Sequence, residues 1–151
     1  MVEFSLHLAD EPATARLGAQ IAALLCGGDV VALSGPLGAG KTSLARGAIA
    51  RLTGRAEAPS PTFTLVETYE TENFPLFHFD LYRLEKAVDV WELGFEEALE
   101  GVSLIEWPER IEAMLPARTL VVLLSMDGGG RRALVRGGEE WAKRLAGLNP
   151  A

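Results

Sequence analysis

One segment, Gly35-Pro-Leu-Gly-Ala-Gly-Lys-Thr42, constrains the fold of this chain more than any other feature. It matches the pattern G-x-x-x-x-G-K-[ST], in which a glycine-rich turn joins a strand to a helix. An apolar run at residues 30–33 precedes it, and a helical pattern continues to about residue 52. This order predicts a phosphate-binding loop, because backbone N–H groups and the helix N-terminus converge there on one anion.

Strand and helix patterns alternate along the rest of the chain. Alternating apolar residues or buried apolar runs predict strands at residues 4–8, 30–33, 65–69, 74–81, 102–105, 120–125 and 131–136. Helical spacing and capping residues predict helices at residues 11–24, 42–52, 87–99 with a break at Gly94, 108–114 and 139–145. We therefore predict one α/β domain over residues 1–151 with a P-loop NTPase fold. Its central sheet would be mostly parallel, with antiparallel additions and flanking helices.

Length and charge limit the classes of function. A chain of 151 residues with 48% hydrophobic residues can bury a core without disulfides or metals, and its one cysteine, Cys26, cannot form an internal disulfide. The net charge of −7 excludes the broad positive field with which a domain holds nucleic acid by itself. No stretch of 18 apolar residues is present, so we expect a cytoplasmic protein without a membrane segment.

The phosphate loop also predicts a metal site. Lys41 would reach the β- and γ-phosphates of a nucleotide, and the hydroxyl of Thr42 would bind Mg²⁺. Such sites need a carboxylate at the end of a second buried strand. Glu106 follows a mostly apolar strand, whereas Asp80 follows an alternating segment that we interpret as an antiparallel strand. Strand type favours Glu106 as the magnesium-associated acid and leaves Asp80 as a nearby carboxylate for water or magnesium.

Three other features allow a plain structural interpretation beside a functional one. The segment Ser60-Pro-Thr-Phe-Thr64 lies where nucleotide hydrolases carry a threonine that senses the γ-phosphate, although such clusters are also typical of ordinary loops. We interpret His78 as a hydrogen-bonded strand residue rather than a general base. Trp107, beside Glu106, could pack on a base or a partner, but the sequence favours a core or sheet-edge position.

Five motifs occur in a fixed order, and together they carry a family resemblance. They are Gly35-Pro-Leu-Gly-Ala-Gly-Lys-Thr42, Ser60-Pro-Thr-Phe-Thr64, His78-Phe-Asp80-Leu-Tyr82-Arg83-Leu84, Glu92-Leu-Gly-Phe-Glu96 and Ile105-Glu106-Trp107-Pro108. This order resembles the bacterial TsaE family, the ATPases of tRNA threonylcarbamoyladenosine biosynthesis. The resemblance implies ATP and Mg²⁺ as cofactors, TsaD- and TsaB-like proteins as partners, and contact with tRNA only through their complex.

The motif and the resemblance together assign roles to individual residues. Lys41, Asp80 and Glu106 would be the catalytic residues, with Thr42 and Glu106 holding Mg²⁺. The expected nucleotide contacts are Thr14 beside the adenine, Gly35, Gly38, Ala39, Gly40, Lys41, Thr42, Ser43, the γ-phosphate sensors Thr62 or Thr64, and Arg132.

Two other functions fit the phosphate loop less well. A small-molecule kinase is the main alternative, but kinases of this class usually carry an arginine-rich lid, and no arginine cluster follows a helix here. A GTPase commonly reads guanine with an N/T-K-x-D motif, and none of the three lysines is followed by Asp at that spacing. Measuring whether the phosphate goes to water or to a small molecule distinguishes an ATPase from a kinase. Measuring the affinity for ATP against that for GTP distinguishes an ATPase from a GTPase.

Overall fold

A computed structural model describes residues 1–54 and 65–148. The strands are β1 (Val2–Leu8), β2 (Val30–Ser34), β3 (Val66–Glu70), β4 (Pro75–Asp80), β5 (Val102–Glu106), β6 (Leu120–Asp127) and β7 (Gly130–Gly137). The α-helices are α1 (Glu11–Ala22), α2 (Lys41–Thr53), α3 (Phe95–Ala98) and α4 (Glu139–Leu145), and 3₁₀ helices span Ala87–Leu93 and Pro108–Met114. Among the helices that the structure describes, none has the length and hydrophobicity of a transmembrane segment.

The seven strands form one sheet in the order β1-β7-β6-β2-β5-β4-β3. Its centre, β6-β2-β5-β4, is parallel, and antiparallel strands extend it on both sides. All five residues of β5 are buried, as expected for a strand covered on both faces. The sheet therefore confirms the predicted α/β fold with a parallel centre and antiparallel additions.

Each face of the sheet has its own apolar core. Side chains of α1, α2 and α4 pack with one set of strand residues, including Leu33 and Leu104. The 3₁₀ helices and α3 pack with the opposite set, including Phe79 and Ile105. Residues 104 and 105 lie in different cores because successive side chains of a strand point to opposite faces. Consequently even-numbered residues of β5, including Glu106, face the side on which α2 lies.

One expectation about β4 was wrong in part. The strand pairs antiparallel with β3, as predicted, but it also pairs parallel with β5. It belongs to the buried centre, and its four residues 76–79 are all buried, including the polar His78. The alternation that suggested an antiparallel strand arises from this one buried histidine. Parallel pairing brings the ends of β4 and β5 to the same edge of the sheet.

Helix α1 is packed unusually close to α2. A Cβ atom on Gly18 would lie 2.0 Å from the carbonyl oxygen of Leu44, and one on Gly47 would lie 2.0 Å from that of Ala15. Real Cβ atoms do not approach so closely, so only glycine allows this spacing. The predicted N-cap is confirmed, since Asp10 Oδ1 accepts from the Ala13 N–H at 2.9 Å. This packing holds the first turn of α1 beside the start of α2.

Candidate functional site

The glycine-rich loop joins the end of β2 to the start of α2. Gly35 has a φ of 146°, and a Cβ there would lie 2.5 Å from the carbonyl oxygen of Leu124 on β6. Gly40 has a φ of 106° and occupies the N-cap position of α2, without a side chain to satisfy the helix N–H groups. The first N–H groups of a helix have no partner within the helix. The loop therefore leaves them open toward a ligand, with the positive end of the helix dipole behind them.

Lys41 is the cation of this loop, and 5% of its surface is exposed. Its Nζ donates to the backbone carbonyl oxygens of Gly35 and Pro36, the latter at 3.1 Å. The same atom lies 3.9 Å from the centroid of the Trp107 ring, a cation–π contact. Burial lowers the pKa of the Lys41 ammonium, although the negative charges of Glu106, Glu109 and Asp80 oppose this. The ammonium is thus held inside the site without a carboxylate contact of its own among the described residues.

Glu106 ends β5 and is 2% exposed. Its Oε1 accepts from the hydroxyl of Thr42 at 2.9 Å, and its Oε2 lies 2.7 Å from Nε2 of His78. Burial of a carboxylate is costly unless its oxygens are hydrogen-bonded, and here both are. The strand end and the first turn of α2 therefore meet at one carboxylate–hydroxyl pair, which is the ligand chemistry that Mg²⁺ prefers.

Asp80 ends β4 directly opposite Glu106 in the parallel register. Its carboxylate is only partly buried, and Oδ1 accepts from the backbone N–H of Tyr82 at 3.2 Å. Burial raises the pKa of the Asp80 carboxyl, a hydrogen bond from Tyr82 lowers it, and the charge of Glu106 raises it further. The Asp80 carboxylate lines the cleft and accepts a backbone hydrogen bond, whereas each oxygen of Glu106 has a side-chain partner.

Two clefts open beside the loop and share Gly38, Gly40 and Ser43. One cleft contains the two acids at the ends of β4 and β5. Its walls are Leu37, Gly38, Gly40, Lys41, Thr42, Ser43, Asp80, Tyr82, Glu106 and Trp107. The other lies between the start of α1 and the β6–β7 turn, and its walls are Asp10, Glu11, Thr14, Gly38, Gly40, Ser43, Gly129, Gly130 and Arg131. A single ligand with a charged end could cross the loop from one cleft to the other.

Most of the residues predicted for the site come together here. The residues that line the two clefts include Gly38, Gly40, Lys41, Thr42, Ser43, Thr14, Asp80 and Glu106. Gly35 and the buried Ala39 belong to the loop backbone, where the Ala39 N–H donates to the Pro36 carbonyl at 3.1 Å. Thr62 and Thr64 lie outside the described residues.

Arg132 was expected to contact the nucleotide, and it is not among the residues that line the two clefts. Its guanidinium binds Asp127 at 2.7 Å and the hydroxyl of Ser5 at 3.0 Å. Arg131 instead donates to the carbonyl of Gly38 from Nη2 at 3.0 Å and from Nε at 3.2 Å. The two arginines are neighbours on β7, so their side chains point to opposite faces, and the sequence alone does not show which faces the loop.

Trp107 packs against the apolar core on one face of the sheet, as its interpretation as a core or edge residue predicts, and it also lines the cleft. It is half-buried in the cleft, 4.9 Å from the ring of Tyr82 and beside Lys41. Its φ of 60° and ψ of 50° are left-handed, a conformation that costs a non-glycine residue roughly 1–2 kcal/mol. Among the described residues it alone is a non-glycine with a positive φ. Strain of this kind clusters at functional sites, but it leaves no signal in a single sequence.

Comparison with known proteins identifies the family of the chain. Residues 8–134 match the family model described as "Threonylcarbamoyl adenosine biosynthesis protein TsaE". The chain belongs to the TsaE family. This membership confirms the resemblance predicted from the five motifs, and it places the chain among the proteins of tRNA threonylcarbamoyladenosine biosynthesis.

Individual TsaE relatives are similar over most of the chain. A Rickettsia felis protein named tRNA threonylcarbamoyladenosine biosynthesis protein TsaE is 44% identical over 129 residues, which are 84% of this chain and 75% of that protein. The Bacillus subtilis protein of the same name is 38% identical over 109 residues, covering 71% of this chain and 68% of that protein. The crystal structure of YdiB from Bacillus subtilis superposes with a TM-score of 0.79 at 27% identity, covering 96% of this chain and 93% of that one. The predicted P-loop NTPase fold of the TsaE family is thereby confirmed.

The oxygen atoms of this TsaE site suit a metal ion that the phosphates of a nucleotide also bind. No group of three or more His, Cys, Asp or Glu side chains that could hold a metal occurs in the part of the chain that the structure describes. Mg²⁺ is commonly bound by one or two protein oxygens together with phosphates and water. Thr42 and Glu106 supply such a partial set beside the loop.

Proposed function

We propose that this TsaE family protein binds ATP with Mg²⁺ at the glycine-rich loop and hydrolyses the nucleotide. The observation that carries the proposal is the contact between Thr42 and Glu106, 2.9 Å long, beside the buried ammonium of Lys41. This contact joins the hydroxyl at the start of α2 to the carboxylate at the end of β5. A buried cation, a buried carboxylate and a helix N-terminus meet at one glycine-rich loop, which is the combination that binds nucleotide phosphates together with a metal ion.

The loop residues bind and orient the phosphates in this proposal. Helix N–H groups donate to the phosphate oxygens, and Lys41 exchanges its contacts with the Gly35 and Pro36 carbonyls for contacts with phosphate. Thr42 and Glu106 would hold Mg²⁺, which when bound offsets phosphate charge and fixes the orientation of the phosphates. The stack of Trp107 on Lys41 keeps the ammonium close to this position before the nucleotide arrives.

Asp80 is the residue best placed to handle water. It lies in register with Glu106 but faces the cleft with a partly exposed carboxylate, so a water molecule can reach it. A carboxylate in that position orients the attacking water and accepts its proton. Asp80 then contributes to the rate of hydrolysis, whereas Glu106 contributes to metal-dependent binding.

The second cleft suits the nucleoside end of ATP. Thr14 is buried against the loop, with its methyl group 3.2 Å from where a Cβ on Gly40 would lie. Arg131 closes the cleft from β7 through its bonds to Gly38. We propose that Thr14 borders the adenine and that Arg131, rather than Arg132, borders the nucleotide.

We further propose that ATP hydrolysis serves threonylcarbamoyl modification of tRNA in a complex with TsaD- and TsaB-like proteins. The family membership of the chain supports this assignment. The net charge of −7 supports a division of labour in which the partners hold the tRNA. The chain itself would not transfer the threonylcarbamoyl group.

The first test measures phosphate release from ATP by the purified chain, with and without Mg²⁺ and with ATP compared to GTP. We expect Mg²⁺-dependent release of inorganic phosphate to water and a preference for ATP. Transfer of the phosphate to a small molecule instead would identify the kinase alternative. The partnership is tested separately by reconstitution with purified TsaD, TsaB, tRNA and an activated threonylcarbamoyl donor, where repeated modification cycles should require this chain and ATP.

A further inference from the structure

We infer that His78 is a positioning residue for the magnesium-associated carboxylate, an inference that rests on the proposed Mg–ATP site. The imidazole is 0% exposed, and its Nε2 lies 2.7 Å from Oε2 of Glu106. We assign Nε2–H of His78 as the donor, because a carboxylate that holds a metal only accepts hydrogen bonds. Glu106 is thus held at one oxygen by α2 and at the other by β4.

The position of His78 on its strand makes this contact a property of the fold. Leu76, His78 and Asp80 share one face of β4, and Glu106 is on the same face of β5. His78 lies opposite Leu104 in the register, one step back along the same face from Glu106. The imidazole therefore approaches the carboxylate from within the sheet, from the side opposite the open cleft at the strand ends.

The remaining nitrogen shows that packing alone does not explain this residue. Nδ1 of His78 is buried and has no hydrogen-bond partner in the part of the chain that the structure describes. An apolar residue would avoid that cost, because a buried polar atom left without a partner is destabilising. Among the described residues, Glu106 is the polar contact of the ring, so orientation of that carboxylate is the benefit that offsets the nitrogen without a partner there.

A fixed carboxylate plane matters because the terminal torsion of glutamate is otherwise broad. With only the Thr42 hydroxyl as partner, the carboxylate could rotate about its last bond and turn its lone pairs away from the metal position. The hydrogen bond from His78 removes that freedom. Residues that hold metal-binding groups in this way typically contribute about 10- to 100-fold to metal affinity or activity.

The test compares two substitutions of His78 by titrating binding of the non-hydrolysable ATP analogue AMPPNP with Mg²⁺. His78→Leu removes the donor while keeping an apolar side chain, and His78→Gln places an amide N–H near the original Nε2. Ser103→Ala is the matched control, because Ser103 is a buried β5 residue whose hydroxyl bonds the Ala98 carbonyl at 3.2 Å rather than Glu106. AMPPNP affinity in EDTA reports the intact loop, and thermal unfolding reports the fold.

We expect His78→Leu to raise the Mg²⁺ concentration needed for half-maximal AMPPNP binding by about tenfold. Affinity without Mg²⁺ should stay at the wild-type level, His78→Gln should restore most of the Mg²⁺ response, and Ser103→Ala should match the wild type. If His78→Leu does not fold, His78→Asn replaces it, because its shorter amide stops at the δ position.

Three results would overturn the inference. They are a wild-type Mg²⁺ requirement in His78→Leu, an equal loss of binding with and without Mg²⁺, and a failure of His78→Gln to rescue. Absence of any Mg²⁺ response in the wild-type protein would instead overturn the proposed function itself, and the inference with it.

Discussion

The ends of β4 and β5 carry the same chemical group in different surroundings. Asp80 and Glu106 lie opposite each other in the register and on the same face of the sheet. Glu106 is buried with a side-chain partner on each oxygen, whereas Asp80 is partly exposed and accepts one backbone hydrogen bond. Topology therefore brings two acids together, and the side chains around them separate their roles.

Under the proposed function, this difference explains how one sheet edge could hold the metal at one acid and activate water at the other. A carboxylate fixed by two hydrogen bonds is suited to hold a metal in a defined position. A carboxylate with open solvent access and a raised pKa is suited to receive a proton. Acid-to-amide substitutions at the two positions should therefore have different signatures.

Lys41→Ala should have the largest effect, because its ammonium lies near both acids and is the cation of the loop. Charge-assisted hydrogen bonds are worth about 1.5–3 kcal/mol each, so losing two would weaken ATP binding by roughly 100-fold or more. Isothermal titration with ATP and Mg²⁺ measures this. Lys143→Ala, an exposed lysine on α4, is the matched control and should bind normally. Unchanged binding in a folded Lys41→Ala protein would disprove the phosphate-loop assignment.

Asp80→Asn should come next, with its effect on turnover rather than on affinity. Loss of a positioned proton acceptor typically slows a reaction by about 100-fold or more. Steady-state phosphate release gives the rate, and AMPPNP titration gives the affinity, which should change little. A matched loss in both quantities would assign Asp80 to nucleotide binding instead.

Glu106→Gln should show the reverse pattern, with a smaller overall effect. The amide keeps the shape but removes the charge beside the metal position, so Mg²⁺-dependent binding should weaken by about 10-fold or more. Binding of AMPPNP in EDTA should be preserved. If Asp80 governs the Mg²⁺ requirement while Glu106→Gln is neutral, the roles of the two strand ends are exchanged.

The smallest expected effect is on stability. Because burial raises the pKa of Asp80 in the folded protein, its contribution to stability is present at acidic pH and is lost as the pH rises through the raised pKa. The charged carboxylate is therefore a cost at pH 7, and nucleotide-free Asp80→Asn should melt at a higher temperature than the wild type there. Differential scanning fluorimetry from pH 7 downward should show this gain shrinking. A constant or inverted difference would refute the electrostatic explanation.

Local patterns predicted the elements well because their causes are local. The phosphate loop, the cap at Asp10, the break at Gly94 and the β6–β7 hairpin each depend on residues within a few positions. The sequence also predicted that Glu106 lies at the end of a buried strand. What it missed was set by pairing between distant segments, above all the parallel pairing of β4 with β5.

The site contacts that the sequence missed have the same origin. The orientation of Arg131 rather than Arg132 depends on the register of β7, and the approach of His78 to Glu106 depends on the pairing of two strands 28 residues apart. The place of Trp107 depends on a left-handed residue that no pattern predicts. Residue types indicated the chemistry, whereas the tertiary fold decided which members of each type take part.

The proposed Mg–ATP site is best tested by a crystal structure of the chain with AMPPNP and Mg²⁺. We expect phosphates in the loop between Gly38 and Thr42, and Mg²⁺ about 2.1 Å from the Thr42 hydroxyl, with Glu106 beside it. Lys41 should have left the carbonyl oxygens of Gly35 and Pro36 for the phosphates. A nucleotide bound elsewhere, with Lys41 still on those carbonyls and Glu106 remote from the metal, would contradict the account.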